Sequence, residues 1–388
     1  MDAGYWPPAD RELLLTLDDV LIEDGRIAPF SPHETTHVAM GRFGNVMLVA
    51  GDPELALEAR LGEVVRLYLT NTANTRVFNV TLPGARMKLV GGDSGRYEHE
   101  AFVEEVLLAP SERVVVDVLF DAPGELALEH RTPERTYRLA GITVRDEPLE
   151  SSRSSAFDSL RTNPDLAAAR DRVASCLAEP PDKTLAFVGE MSLGDSTEAD
   201  EYLCPMHPEV RSTSPDRCPK CGMKLVPAAL VGERGGHEVA HGHAHAASDH
   251  AHASAQGIEW EDDMVEVNRL TTAESMRWKL IDRATGAENA AIDWHFRVGD
   301  EVKVRLVNEL DSDHPMPHPF HIHGAGRFLV VARDGTPEPN LVWKDTVLVR
   351  TGETVDILLG VTHPGTWMAH CHIAEHHESG MMFGFTVA

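Results

Sequence analysis

Residues 367–382 read WMAHCHIAEHHESGMM. Cys371 stands between His370 and His372, another imidazole follows at His376, and a thioether follows at Met381. Upstream, residues 314–326 read HPMPHPFHIHGAG. A soft thiolate, two imidazoles and a weak axial thioether make up the ligand set of a blue, electron-transferring copper. Cys371, His376 and Met381 fall on one strand and the loop after it, and His318 arrives from another strand. Successive strand side chains point to opposite faces. If Cys371 faces one copper, His370 and His372 face away from it, towards a second metal site. His321 and His323 are separated by one residue, so they share a face and can meet that second site. The peptide around Cys371 then links two metal sites on the order of 10 Å apart. Singly, Cys371 reads as a buried core thiol and each histidine as an ordinary core or surface imidazole. Their joint spacing in two turn-bounded strands outweighs that reading.

Working outward, residues 258–388 and 1–146 both read as strands. In the first part, LLLTLDDVLI, EVVRLYLTNT, RVFNVTLPG and RVVVDVLFDA alternate or run apolar between Gly, Pro, Asn and Asp. This is an all-β character of sandwich or barrel type. The two regions look like one unit used twice. GEVVRLYLTNT matches GDEVKVRLVNE, and DVLFDAPGELALEHR matches DILLGVTHPGTWMAHCH when Pro123-Gly124 is laid on Pro364-Gly365. Glu129, His130 and Arg131 then stand opposite His370, Cys371 and His372. Arg76, Asn79 and Thr81 stand opposite His318, His321 and His323. The first copy keeps the scaffold without the metal-binding side chains and reads as a structural or docking domain.

Between the copies, residues 147–200 read as a partly helical linker or covering helix. Residues 201–228 form a small module, with YLCPMHPEVRSTSPDRCPKCGMKLVP at 202–227. Cys204, His207, Cys218 and Cys221 provide four ligands for a closed tetrahedral site of the structural zinc type. Met206 and Met223 add soft donors that Cu(I) accepts, so zinc and copper both stay open. Residues 229–257 are a low-complexity tract with His237, His241, His243, His245, His250 and His252. It reads as a disordered tether, with weak copper or zinc binding as the alternative. Cys176 reads as a small apolar residue of a helical segment.

The chain has 388 residues, 42% hydrophobic and 25% charged, an ordinary globular composition. Its net charge of −27 argues against nucleic acid and anionic membranes as partners and favours cations. No apolar run is long enough to span a membrane. The opening MDAGYWPPADRELLL has no basic stretch followed by an apolar run, so no signal peptide is expected. Three of the five cysteines cluster and two stand alone, which points to metal ligation rather than a disulfide framework.

HPFHIHG and HCHIAEHHESGM resemble the two C-terminal copper motifs of the multicopper oxidases, the family of laccases and copper-efflux oxidases. The resemblance covers 1–146 and 258–388 and implies two cupredoxin domains of Greek-key type. Residues 201–228 are similar to heavy-metal-binding modules of copper and silver efflux proteins. The resemblance implies a type 1 copper on His318, Cys371, His376 and Met381, the methionine suggesting a lower potential than an apolar residue would give. It implies that His321, His323, His370 and His372 belong to a trinuclear copper cluster that reduces dioxygen. Cys371, His370 and His372 would carry the electrons. Dioxygen and a one-electron donor, a metal ion such as Cu(I) or a phenol, are the implied partners, and the family location is extracytoplasmic. Family members bring four further cluster histidines from an N-terminal cupredoxin domain in two His-x-His motifs. This sequence shows no such domain, so it reads as N-terminally truncated or as half of a split enzyme. Where some members have an acidic residue after the second type 1 histidine, this sequence has His377 and then Glu378. A copper-binding or electron-transfer protein without oxidase activity is the rival reading.

Overall fold

The computed structural model describes residues 4–31, 33–149, 151–192, 199–231 and 257–388. Two β-sandwiches account for most of them. In the first, one sheet has the order Val46–Val49, Arg11–Val20, Val64–Asn71, Arg113–Leu119, Arg86–Gly92 and Gly95–Val103. The facing sheet has the order Glu105–Leu108, Phe78–Thr81, Gly124–Arg131, Thr136–Arg145 and Ala56–Arg60. The second sandwich repeats the plan. Its larger sheet runs Met276–Asp282, Lys183–Met191, Glu301–Asn308, Thr354–Val361, Gly326–Arg333 and Thr336–Pro337. Its smaller sheet runs Trp294–Phe296, Met382–Val387, Gly365–Cys371, His318–Ile322 and Thr346–Val349. Alternating apolar residues from facing sheets fill one core per sandwich, the arrangement that buries one side of each strand. Among the described residues, no helix is long and apolar enough to cross a membrane.

The span 147–200 holds more than a linker. The helix Pro164–Ala178, with Asn163 at its cap and Pro164 at its first position, packs Leu166, Ala169 and Val173 on Leu329, Val331, Leu341 and Leu358 of the second sandwich. After it, Lys183–Met191 is a full strand of that sandwich, parallel to Glu301–Asn308 and antiparallel to Met276–Asp282. It opens the second copy as Arg11–Val20, parallel to Val64–Asn71, opens the first. The module therefore leaves the sheet at Met191 and the chain returns at Met276, and these two residues are paired. The histidine tract lies outside the described residues.

The repeat holds with one local adjustment. Cys371 pairs with Phe320, whereas its sequence counterpart His130 pairs with Val80, the counterpart of Ile322. The slip is two residues, and an irregularity in the neighbouring pairing at Leu128/Glu129 accompanies it. An even slip keeps every side chain on its own face. Arg76, in the place of His318, is 2% exposed and binds Asp19 at 2.8 Å, so a buried ion pair fills that position in the first sandwich.

The sandwiches share a tightly paired boundary. Val38, Ala39, Met40 and Phe43 of the first enter the core of the second. Lys344 reaches both Asp93 and Glu112 at 3.1 Å, and these two carboxylates hold its ammonium group well above the usual lysine range despite its burial.

Candidate metal centre

Strand pairing sorts the histidines by face. Phe320 lies opposite Cys371, and His321 lies opposite His370, so Cys371 shares the inner face with Phe320 and His318 while His321 and His370 share the outer one. From the inner face, Cys371 Sγ lies 3.6 Å from His318 Nδ1 and 3.7 Å from His376 Nδ1, and the two imidazole nitrogens are 3.3 Å apart. All three residues, and Met381, are 0% exposed. His376 comes from the short helix Ala374–Glu378. The loop after that helix is tied back: Met381 N donates to His376 O at 3.0 Å, and Cys371 N donates to Met381 O at 3.1 Å. Gly380 makes the turn at φ +119°, where a Cβ would fall 2.8 Å from Asn289 Nδ2.

An ion at the centre of a triangle with such edges lies about 2 Å from each corner, the length of metal–nitrogen and metal–sulfur bonds. Burial pushes the Cys371 thiol up and the imidazoles down, His318 to about 3. The imidazoles therefore offer neutral lone pairs, and the thiol needs a cation to stay ionised. A soft thiolate with two neutral imidazoles fits copper. Trp278 closes the site, its ring stacked 4.2 Å from His376 and edge-on to His318 at 4.8 Å, with its indole N–H donating to Val38 O at 2.6 Å.

On the outer face His321, His323, His370 and His372 gather with neighbouring ring centroids 4.6–5.9 Å apart. His370 Nδ1 faces its acceptor, the Cys371 carbonyl, at 2.7 Å, so Nδ1 carries the proton and Nε2 presents a lone pair. That lone pair accepts from His323 Nε2 at 2.9 Å. The four nitrogens do not converge on one point as the inner triad does, and three of the residues are half-buried. Burial holds His370 and His372 at about 4, so both are neutral.

The module gathers its four residues too. Cys204 Sγ is 3.6 Å from Cys221 Sγ and 3.7 Å from His207 Nδ1, and Cys218 Sγ is 3.6 Å from His207 Nδ1. All four ligand atoms lie within 4.8 Å of one another, which suits a closed four-coordinate ion. A hydrogen bond from Cys221 holds the Cys204 thiol down to about 5 and pushes Cys221 up.

A family model described as multicopper oxidase matches residues 261–388, and one described as heavy metal binding domain matches 202–228. Residues 261–388, most of the second sandwich, thus match the multicopper oxidase family. Copper is the metal of that family, and the inner triad offers donors that could hold it. A multicopper oxidase of Staphylococcus aureus is 37% identical over 124 residues, 31% of this chain and 28% of that protein. A laccase of Pycnoporus cinnabarinus is 41% identical over 68 residues, 16% of this chain and 13% of that protein. The chain thus spans well under two thirds of the curated relatives it matches. Solved multicopper oxidases share the fold across both sandwiches. One from Campylobacter jejuni superposes with a TM-score of 0.58 at 18% identity, covering 97% of this chain and 64% of its own. One from Pseudomonas thermotolerans gives 0.57 at 22%, covering 98% and 69%. Both sandwiches are therefore of the cupredoxin type of multicopper oxidases.

Several residues around these two clusters carry no sequence pattern. Asp345 Oδ1 lies 3.6 Å from His321 Nδ1, and Thr346 Oγ1 lies 2.9 Å from the same nitrogen. Burial alone would raise the Asp345 carboxyl, but the nearby His321 ring and hydrogen bonds from Arg113 of the first sandwich and from Thr346 hold it far below the usual range. His377 lies tilted against His370 at 5.1 Å, beside the outer cluster. Buried His314 stands edge-on to Trp278 at 6.0 Å. A histidine adjoining a motif signals little in sequence, because its direction depends on the loop.

Proposed function

We propose that this chain is the copper-bearing part of an oxygen-reducing multicopper oxidase, with His318, Cys371 and His376 as type 1 ligands and Met381 in the axial position. The observation that carries this reading is the 3.3–3.7 Å triangle, whose cysteine is bonded to histidines of the other metal face. Copper bound there supplies a one-electron redox couple. The residues of this chain do the rest. Burial in an apolar pocket under Trp278 excludes water, and the peptide of Cys371 leads directly to His370 and His372. His321, His323, His370 and His372 form one wall of the oxygen-reducing cluster. Thr346 and Asp345 orient His321, and the Cys371 carbonyl orients His370.

The opposite wall would come from a domain carrying two His-x-His motifs, on this polypeptide or another. The acidic chain and its soft-metal module favour a metal ion such as Cu(I) over a phenol as donor. Work outside the cytoplasm suits that role.

Copper counting with an oxygen electrode tests the assignment. The purified chain should bind one tightly held copper in this sandwich and consume little oxygen. Adding a domain with the two motifs should raise both copper content and oxygen uptake. A blue protein that stays inert after that addition supports the second reading, a copper electron-transfer protein, which the non-converging outer histidines favour. A protein that binds copper without an intense visible band defeats both.

A further inference from the structure

The module is not a loose appendage, and its mounting fixes what it faces. It emerges from the paired residues Met191 and Met276, two positions from Trp278. Arg217 binds Asp313 at 2.9 Å and donates to the Ser312 carbonyl. Lys224 N donates to Asp313 O at 2.8 Å, and its ammonium group donates to Met191 O at 2.7 Å. Met223 is 2% exposed within the core that also holds Cys371, and Cys221, a module ligand, packs against both that core and the module's own.

The floor under this contact is the loop Ser312–Met316, and His314 sits in it. It is 2% exposed, and neither ring nitrogen has a hydrogen-bond partner among the described residues. A buried imidazole with both nitrogens unpartnered is costly and calls for an explanation. Its ring stands against Trp278, which stacks on His376 and meets His318 edge-on. Those type 1 ligands are themselves 0% exposed. A dissolved donor cannot touch them, because Trp278, the Val38–Met40 segment and the floor of the module cover them.

We propose that the module is the built-in electron donor of the type 1 centre, and that electrons enter from its metal by way of His314 and Trp278. This rests on the electron-transfer reading of the His318–Cys371–His376 site. One copper(I) on Cys204, His207, Cys218 and Cys221 gives one electron and becomes copper(II), while the type 1 copper(II) becomes copper(I). No bond is transferred and no proton need move. Fresh copper(I) from solution then replaces the spent ion, so the donor class is a soft univalent metal ion captured at the module.

The test is anaerobic stopped-flow bleaching of the blue band in the full chain, with copper(I) as a weak chelate or with hydroquinone as reductant. For each protein the ratio of the copper(I) rate to the hydroquinone rate is the readout. His314→Phe keeps a buried ring without nitrogens, Cys218→Ser opens the module site, and Arg217→Ala loosens the mounting. The ratio should fall at least tenfold in the first two and measurably in the third, with the blue spectrum of each variant matching the parent. Unchanged ratios in His314→Phe and Cys218→Ser overturn the proposal while leaving the type 1 assignment intact. A parent protein without a blue band overturns that assignment, and the proposal with it.

Discussion

Arg113 of the first sandwich grips Asp345 of the second with two hydrogen bonds, at 2.8 and 2.5 Å, and Asp345 faces His321 of the outer histidine wall. The first sandwich thus helps aim a histidine that it does not contain. Arg113→Ala should release Asp345 and weaken metal binding at the His321 face about 10- to 100-fold, as the loss of an orienting partner does elsewhere. The blue band should not change. A copper titration followed by the non-blue resonance signal checks this, and equal affinity in the variant would rule out the orienting role.

Cys371→Ser should abolish the visible band and leave a folded protein. A hydroxyl keeps the shape of the thiol at a smaller size but lacks the soft donor that generates the charge-transfer absorption. Retained colour in this variant would place the chromophore elsewhere.

Gly380 turns the chain between His376 and Met381 in a backbone region that L-residues rarely adopt. Gly380→Ala should cost about 1–3 kcal/mol through that strain. It should also shift the visible spectrum, because Met381 hangs from the same turn. Denaturant unfolding and absorption spectra together measure both effects, and an unmoved spectrum would show the axial position to be insensitive to the loop.

Lys344 neutralises two buried carboxylates at the boundary of the sandwiches. Lys344→Met should destabilise the protein by about 3–5 kcal/mol, since removing one partner leaves uncompensated buried charge. Equilibrium unfolding measures it, and a loss below about 1 kcal/mol would mean that the carboxylates simply protonate.

Metal should protect the module. With zinc or copper(I) bound, residues 201–227 should resist limited proteolysis, and a chelator or Cys218→Ser should make them labile. Equal cleavage in all three states would show that the mounting through Arg217 and Lys224 suffices without an ion.

The separation of Cys371 from its flanking histidines was legible in the sequence because strand alternation is a rule of geometry: the triplet His370-Cys371-His372 can only divide its side chains between two sides. The all-β class was legible for the same reason. Lys183–Met191 was hidden because its partners, Met276–Asp282 and Glu301–Asn308, lie far along the chain, beyond the module and the histidine tract. A short apolar run beside a helix has no local signature of the sheet it will join. Arg113 and Asp345 meet across a boundary that neither segment encodes alone, and His314 gains meaning only from what packs above it. The two-residue slip at His130 shows the same limit, since matching Pro-Gly turns align sequences but not hydrogen-bonded neighbours.

Inserting the module between the paired ends Met191 and Met276 lets the sheet treat the insert as a hairpin connection of arbitrary length. Closure entropy rises only by about 0.6 kcal/mol per doubling of a flexible connection. The sheet's ladder is thus indifferent to the length spliced there, while the splice opens two residues from Trp278, which packs against His318 and His376. Such a socket would let a lineage exchange one cassette while His318, Cys371 and His376 stay as they were.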